Sequence, residues 1–326
     1  MEERRRKAWT LEEWIDWWAS KNPQFLLLLD RWKQLLGEEV DQLLLAEAPE
    51  AFRINTLKVA NPEQLRSEFE HRGWQLERIP WYRYGFWLHE PQVDLGKTLE
   101  HFLGYIYEQD AASMVPPLVL DPQPEEVVLD MCAAPGSKAT QIAELMQNQG
   151  LLLTNDPVTS RLPALRHNLQ RCGVRNAIVT QMDGRRFARI PDTFDRVLVD
   201  VPCSGTGKVS TEPGILCNWR LGLTRHLARL QRQLLRAACI TCKPGGVVVY
   251  STCTLEPEEN ELVVDYVINR LHMRVEPVEI PGLRTRPGIT EWQNRYLHPD
   301  LRDTLRIYPH ENRSEGFYIA KLVKPH

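Results

Sequence analysis

The chain has 326 residues, of which 43% are hydrophobic and 25% charged, proportions that are typical of a globular protein with a full apolar core. Its net charge of −3 neither requires nor excludes a nucleic acid partner, and we see no apolar run long enough for a membrane span. Seven cysteines, and a start without an apolar stretch of signal-peptide length, favour a reducing compartment, so we expect a cytoplasmic protein without a disulfide framework.

Residues 1–50 are predicted to form helices. Apolar residues repeat at helical spacing in "LEEWIDWWASK" and in "FLLLLDRWKQLLGEEVDQLLL". Trp14, Trp17 and Trp18 lie on one such stripe. Tryptophans can stack on nucleic acid bases, but packing between helices is the more common use of a stripe like this. We therefore expect a helical segment with these tryptophans in its core.

Residues 51–104 are predicted to form a small α+β module. "AFRINTLK" (51–58) is typical of a strand, and "NPEQLRSEFEHRG" (61–73) of a helix that Asn-Pro opens and Gly73 closes. "WQLERIPWYRYGFWLHE" (74–90) predicts one or two further strands. The order strand, helix, strand indicates a ferredoxin-like or RRM-like module, and we expect this module to bind RNA.

Residues 105–326 are predicted to form one α/β domain in which strands alternate with helices. Apolar strands are expected at 125–133, 151–156, 176–183, 194–202, 245–252 and 316–324. Helices are expected between them at 137–147, 160–173, 222–242 and 258–271. This alternation is typical of a parallel sheet covered on both faces, in which ligands bind at the carboxyl ends of the strands. Unusual residues at those ends are therefore candidate site residues.

Acidic residues follow the first three of these strands. Asp130 ends the first and precedes the small residues 132–136, which let a ligand approach the backbone, while the next helix offers free N–H groups. Asp156 is placed to accept ribose hydroxyls, and Asp183 to bind an adenine amine. Each acid alone could be a helix cap or a turn residue. Together, and without a GxGxxG motif, they predict a nucleoside cofactor without phosphates, such as S-adenosyl-L-methionine.

Two cysteines follow the next two strands. Cys203 lies in "DVPCSGTG" and Cys253 in "YSTCTLEPEEN", and both face one cleft if those strands are neighbours beside the first strand. A thiolate that adds to carbon 6 of a pyrimidine makes carbon 5 nucleophilic, and a base must then remove the carbon 5 proton. Asp200 is suited to hold the ring at nitrogen 3 or the exocyclic amine. The residues alone do not decide which cysteine is the nucleophile.

Several long motifs carry a family resemblance. "QDAASMVPP" (109–117), "DMCAAPGSK", "DVPCSGTG", "YSTCTLEPEENE" and "RIYPHENRSEGFYIAKL" (306–322) resemble, in order, the motifs of the Sun-type RNA cytosine-5 methyltransferases. "FRINTLK" resembles the amino-terminal signature of that family, so the resemblance covers residues 50–324. It implies a class I methyltransferase (Rossmann-like) fold with a mostly parallel, seven-stranded sheet. It also implies methylation of tRNA or rRNA by S-adenosyl-L-methionine through a covalent cysteine adduct.

The resemblance also implies residue roles. Cys253 is the nucleophile that attacks carbon 6, and Cys203 assists proton removal and product release. Lys138 and Asp200 line the active site. The residues implied to surround the cofactor are Cys132, Ala133, Ala134, Pro135, Gly136, Ser137, Lys138, Asp156, Asp183 and Asp200.

Two other functions stay open at this point. One is an RNA-binding assembly factor in which methylation is secondary. The other is a methyltransferase of a protein or small molecule, which would keep full activity after removal of either cysteine. Among RNA substrates the compact chain favours tRNA over rRNA, and we expect a monomer.

No metal site is expected. Cys239 and Cys242 form a CxxC without a matching second pair, so we expect them in the core, and we expect the same of Cys217. Basic residues cluster at 4–7, 183–189 and 218–236. Each cluster is either a solvated helix face or a phosphate-binding surface.

Overall fold

The structure is a computed structural model, and it describes residues 10–326. The basic cluster at 4–7 lies outside the described residues. Within residues 10–326, no helix combines the length and the apolar character needed to cross a membrane. The cytoplasmic location, the monomeric state and the domain boundaries stay predictions.

The amino-terminal segment forms three α-helices, which are α1 (Leu11–Lys21), α2 (Phe25–Leu36) and α3 (Val40–Leu45). Thr10 caps α1 in a capping box, which satisfies amides that the first turn leaves without partners. Trp14 and Trp18 are buried, so the expected helix packing is confirmed. The segment also packs against later parts of the chain, and Asn22 Nδ2 donates to the carbonyl of Trp219 at 2.9 Å.

The small module is built from four strands and two helices: β1 (Ala51–Ile54), α4 (Pro62–His71), β2 (Gln75–Arg78), β3 (Gly85–Glu90), α5 (Leu99–Leu103) and β4 (Ile106–Glu108). Its sheet is antiparallel with the strand order β2-β3-β1-β4, which is the ferredoxin-like arrangement, so this prediction is confirmed. Phe52 of β1 packs against Phe69 of α4, with ring centroids 5.9 Å apart. This sheet extends beyond residue 104, where the sequence placed the end of the module, because β4 pairs with β1.

The large domain contains α6 (Val115–Leu120), β5 (Val127–Asp130), α7 (Ser137–Leu145), β6 (Leu151–Asn155), α8 (Leu162–Arg171), β7 (Ala177–Thr180), β8 (Phe194–Asp200), α9 (Ile215–Asn218), α10 (Leu221–Thr241), β9 (Cys242–Thr252), α11 (Glu261–Leu271), β10 (Arg274–Val275), β11 (Arg286–Pro287), β12 (Glu291–Trp292), β13 (Arg295–Tyr296), β14 (Leu305–Ile307), α12 (Pro309–Asn312) and β15 (Phe317–Val323). Its sheet has nine strands, of which β10 and β11 are only two residues long. The other seven are the predicted seven-stranded, mostly parallel sheet.

The topology of this sheet places the strand ends that carry the candidate residues side by side. The order is β11-β14-β15-β9-β8-β5-β6-β7, and the five strands from β9 to β7 are parallel. Val128 and Leu129 of β5 are fully buried in two different core clusters, because successive side chains of a strand point to opposite faces. The sheet is therefore covered on both sides. β8 lies between β5 and β9, as the prediction of adjacent strands requires.

The cysteines outside the candidate site differ in burial. Cys239 and Cys242 lie in the apolar core, as predicted. Cys217 is exposed, so the prediction of a core position for it is wrong. It lies on the four-residue helix α9, which buries Leu216 instead. A single helical turn buries one side, and the pattern of so short a stretch does not show which side that is.

Candidate active site

A tight turn follows β5 at residues 132–136. Gly136 has φ of +112°, and a Cβ there would meet Leu165 Cδ1 at 3.2 Å, so the turn requires glycine. Helix α7 begins at the next residue without a side-chain cap, which leaves its first amides available to a ligand. The side-chain amide of Asn155 donates, through Nδ2, to the backbone carbonyls of Met131 at 3.1 Å and Met182 at 2.9 Å. These bonds hold the ends of the first three parallel strands in one fixed arrangement.

The three predicted acids lie at these strand ends in different environments. Asp130 is 1% exposed, and no side chain within the described range donates a hydrogen bond to it. Burial, together with the negative charge of Asp200, raises the pKa of Asp130 to about 7. Asp156 is fully buried and forms an ion pair with Arg161 at 3.0 Å. Of the two, Asp130 is the buried carboxylate without a side-chain donor, and such a carboxylate is suited to a cationic ligand.

The carboxylate of Asp183 is also hydrogen-bonded to a neighbouring arginine, Arg185. Its Oδ1 accepts a hydrogen bond from Arg185 Nε at 2.9 Å, and this bond helps to lower the pKa of Asp183. The ion pairs of Asp156 and Asp183 were not predicted from the sequence. Each arginine holds a carboxylate that we assigned to a nucleoside, so both carboxylates are shared between an internal partner and any ligand.

The two candidate cysteines lie together. Cys203 Sγ and Cys253 Sγ are 3.2 Å apart, and both side chains are partly buried. The hydroxyl of Thr254 forms hydrogen bonds of 2.8 Å with the hydroxyls of Ser204 and Thr206. Because these bonds join the loop after β8 to the loop after β9, the backbone holds the two thiols beside each other.

A hydrogen bond joins the sulfur atoms of Cys203 and Cys253. This hydrogen bond, and then burial, raise the pKa of the Cys203 thiol well above its usual value. The raised pKa favours the thiol form of Cys203, and either sulfur can be the donor in the hydrogen bond between the two cysteines.

An ion pair lies at the ends of the same strands. Lys138 Nζ is 2.8 Å from Asp200 Oδ2, and Ser251 Oγ donates to Asp200 Oδ1 at 2.7 Å. Lys138 also donates to Ser113 Oγ at 3.0 Å. Burial opposes the charge of Lys138, but the acidic groups around it, Asp200 above all, together raise the pKa of the lysine above its usual value. Lys138 therefore stays a cation in a buried site. Sequence reasoning missed Ser113 and Ser251, which orient this pair.

Sequence reasoning also missed Glu259, which supports the Cys203 loop from beneath. Its Oε2 accepts hydrogen bonds from the amide of Ser204 at 2.9 Å and from Gln231 Nε2 at 2.8 Å. Burial raises the pKa of Glu259 to about 7. The acidic run "EPEEN" was quoted as part of a motif, but its spacing did not show which glutamate turns inward.

Another cluster of charged residues borders the cysteine pair, on the side of the last strand, β15. Lys208 Nζ lies 3.7 Å from Glu315 Oε1, and the amide of Glu315 donates to Asp110 Oδ2 at 3.0 Å. Burial, followed by the charge of Asp110, raises the pKa of Glu315 to about 7. The amide of Gly207 donates to the carbonyl of Cys253 at 2.9 Å. Residues far apart in sequence therefore meet at one cleft.

Glu259→Gln is expected to make protein stability less dependent on pH. A carboxyl whose pKa is raised by folding binds its proton more tightly in the folded protein, so the free energy of unfolding falls as pH rises from about 4.5 to about 7. The variant lacks this titration, and its stability relative to the wild type should rise by about 3 kcal/mol over that range, at about 1.4 kcal/mol per pH unit. Urea unfolding at pH 5, 6, 7 and 8 measures the difference. A difference that does not change with pH would contradict the prediction.

Two family models match the chain. That of the 16S rRNA methyltransferase RsmB/F matches residues 117–323, and that of the N-terminal domain of 16S rRNA methyltransferase RsmF matches residues 26–111. The chain belongs to the RsmB/F methyltransferase family. The resemblance to the Sun-type enzymes is thereby confirmed.

Relatives of this RsmB/F-family protein include enzymes that act on different RNAs. It is 44% identical over 300 residues to the tRNA (cytosine(49)-C(5))-methyltransferase of Pyrococcus abyssi, a match that covers 91% of this chain and 96% of that enzyme. It is 40% identical to the human 28S rRNA (cytosine(4447)-C(5))-methyltransferase over 89% of this chain, but only 36% of the human protein. It is 42% identical to ribosomal RNA small subunit methyltransferase F of Shewanella amazonensis, over 84% of this chain and 58% of that protein. The chain thus spans only part of the human and bacterial relatives.

Solved structures show the same architecture for this RsmB/F-family protein. A methyltransferase homolog protein from Pyrococcus horikoshii aligns with a TM-score of 0.82 and 34% identity, over 92% of this chain and 98% of the other. NSun6 from Pyrococcus horikoshii, solved with SFG, aligns with a TM-score of 0.81 and 26% identity over the same shares, 92% and 98%. The predicted class I methyltransferase fold is confirmed.

Proposed function

We propose that this protein transfers a methyl group from S-adenosyl-L-methionine to carbon 5 of a cytosine in RNA, and that its substrate is a tRNA. The observation that carries the proposal is the 3.2 Å separation of Cys203 Sγ and Cys253 Sγ beside the ion pair of Lys138 and Asp200. The relative from Pyrococcus abyssi supports a tRNA substrate, because its match covers nearly all of both chains.

The residues at the ends of β5, β6 and β7 fit the proposed cofactor. The carboxylate of Asp130 is buried without a side-chain donor, and α7, which follows the turn at 132–136, begins without a side-chain cap. Asp156 and Asp183 would hold the nucleoside by its ribose and its base. When bound, S-adenosyl-L-methionine supplies an electrophilic methyl group. The chain's own residues must then make carbon 5 of the cytosine a nucleophile.

Cys253 is the nucleophile in this proposal. Its thiolate forms a bond to carbon 6, and the electron pair of the carbon 5–carbon 6 double bond becomes available at carbon 5. Asp200 accepts a hydrogen bond from the exocyclic amine, while the adjacent Lys138 ammonium stabilises negative charge that develops on the ring. Asp200 ends β8, Lys138 lies in the first turn of α7, and their ion pair holds each in place, so neither needs to reorganise during the reaction.

Cys203 completes the cycle. After methylation, carbon 5 carries both the new methyl group and its original proton. Cys203 first loses its own thiol proton to solvent, and its thiolate then removes the carbon 5 proton. The double bond to carbon 6 re-forms, the bond between carbon 6 and Cys253 breaks to release the Cys253 thiolate, and Cys203 is left as a thiol. The raised pKa of Cys203 makes its thiolate a strong base for this step. The 3.2 Å distance lets both sulfurs reach one ring.

Nucleoside analysis of treated RNA tests this function. The protein is incubated with S-adenosyl-L-methionine and either a tRNA transcript or an rRNA fragment, and 5-methylcytidine is measured by mass spectrometry. We expect 5-methylcytidine in the tRNA, none with Cys253→Ala, and the wild-type amount with Cys217→Ala, which removes an exposed cysteine outside the site. Full activity of Cys253→Ala would refute the covalent mechanism. Methylation of rRNA alone would refute the choice of tRNA.

A further inference from the structure

Two segments that pack together carry an unusual density of arginine. Residues 184–189 and 220–241 contain eight arginines and no acidic residue, on a chain whose net charge is −3. We call this set the arginine ridge, and its members are Arg185, Arg186, Arg189, Arg220, Arg225, Arg229, Arg232 and Arg236. All are exposed except Arg232, which is half-buried. A basic face on an acidic chain indicates a polyanionic partner.

The ridge has a regular geometry. Arg225, Arg229, Arg232 and Arg236 are spaced by four, three and four residues, so they lie along one face of α10. At 1.5 Å per residue this row is roughly 16 Å long. Among residues 10–326, no carboxylate lies within 4.0 Å of any guanidinium in this row, whereas many other arginines of the chain form ion pairs. These charges are available to a partner.

The second segment extends the row sideways. Arg185 Nη1 donates to Gln233 Oε1 of α10 at 2.8 Å, and a Cβ at Gly184 would meet Leu234 at 2.8 Å, so the segment lies directly on the helix. It adds Arg186 and Arg189, which are exposed. The ridge therefore begins next to Asp183 of the candidate cofactor pocket and continues along α10.

The opposite face of α10 supports the active site. Gln231 Nε2 donates to the carbonyl of Pro202 at 2.9 Å and to Glu259 at 2.8 Å, directly behind Cys203. Because α10 follows β8, its amino-terminal end lies at the edge of the sheet that carries the cysteines. Gln231 lies between Arg229 and Arg232 along the helix, so the arginine row passes the level of the Cys203 loop. One rigid element joins the arginine row to the catalytic loop.

We infer that the arginine ridge binds the phosphate backbone of the RNA substrate outside the cleft, and so positions the RNA from the catalytic domain as well as from the small module. The inference rests on the proposed function. Phosphate contacts set the register of a nucleic acid on a protein without reading its sequence. The ridge therefore contributes affinity and alignment, while the choice of cytosine is left to other contacts.

Charge reversal tests the ridge. We expect Arg225→Glu/Arg229→Glu to lower the slope of log affinity against log salt by about 0.7 to 0.9 for each lost phosphate contact. KM for full-length tRNA should rise roughly tenfold, while kcat stays at the wild-type value, because neither residue contacts the reacting atoms. The milder Arg225→Gln/Arg229→Gln variant removes the positive charges without adding negative ones, so it should lower the salt slope by a smaller amount. Thermal unfolding confirms that each variant is folded.

A matched control makes the result specific. Arg270→Glu/Arg274→Glu makes the same change in charge with two exposed arginines near the carboxyl-terminal end of α11. It should keep the wild-type salt slope and KM. The inference is overturned if both double variants keep the wild-type salt slope. It is also overturned if both lower the salt slope by the same amount. If the wild type methylates no RNA, the proposed function itself fails, whereas methylation with an unchanged slope refutes only the ridge.

Discussion

Cys203→Ala is expected to leave the protein covalently attached to its RNA. In the proposed reaction Cys253 forms the bond to carbon 6, and loss of the carbon 5 proton is required before that bond can break. The variant keeps the nucleophile but lacks the sulfur that lies 3.2 Å away and accepts the proton. Adduct should therefore form and persist after methyl transfer. A denaturing gel of protein incubated with radiolabelled tRNA and S-adenosyl-L-methionine shows it as a slowly migrating band.

The companion variants separate the two roles. Cys253→Ala should show neither adduct nor 5-methylcytidine, and adding Cys253→Ala to Cys203→Ala should abolish the band. Cys217→Ala should behave as the wild type, because this cysteine is exposed on α9. If the two single variants of the site gave the same band, or neither gave one, the assigned roles would be wrong.

Arg53→Ala is expected to destabilise the protein by about 3 to 5 kcal/mol, because it leaves a buried carboxylate without its counter-charge. Arg53 has no exposed surface, and its Nη1 lies 3.1 Å from the carboxylate of Glu144 on α7. Tyr82 and the amide of Thr56 also donate to Glu144. The ion pair joins β1 of the small module to the helix that follows the cofactor turn. Urea unfolding monitored by circular dichroism measures the loss.

Two controls isolate the buried pair. Arg66→Ala removes an arginine from a partly exposed pair with Glu70, and it should cost less than about 1 kcal/mol. Arg53→Met/Glu144→Gln removes both charges and should recover part of the stability lost in Arg53→Ala. Equal destabilisation by Arg53→Ala and Arg66→Ala would contradict the argument.

The positions of the strands and of the candidate ligands were predictable, because both depend on local pattern. Short apolar runs predicted each of the five parallel strands, and polar residues after those runs had to lie at one edge of a parallel sheet. Asp130, Asp156, Cys203 and Cys253 all lie at that edge. The small module shows the limit of local pattern. Its fourth strand, Ile106–Glu108, is only three residues long and is a strand because β1 pairs with it.

The partners of the site residues were not predictable, because they come from segments distant in sequence. Glu259 supports a loop 55 residues away, and Ser113 orients a lysine 25 residues away. Arg161 occupies the carboxylate of Asp156, which the sequence assigned to a ribose. Periodicity and spacing in the sequence do not predict such contacts, because each contact depends on the conformations that the loops adopt in the folded protein.

By itself, the sequence determined the family and fold class of the protein, and it placed the residues that we propose to carry its chemistry at the ends of the predicted strands. Hydrophobic periodicity and residue type act over a few neighbouring positions, and the motifs are contiguous. Only the tertiary structure decided that the sulfur atoms of two cysteines 50 residues apart in sequence lie 3.2 Å from each other, and that an arginine row lies on the helix that contacts the Cys203 loop. Distances, burial and charge pairing arise from packing between distant segments, and local pattern does not contain them.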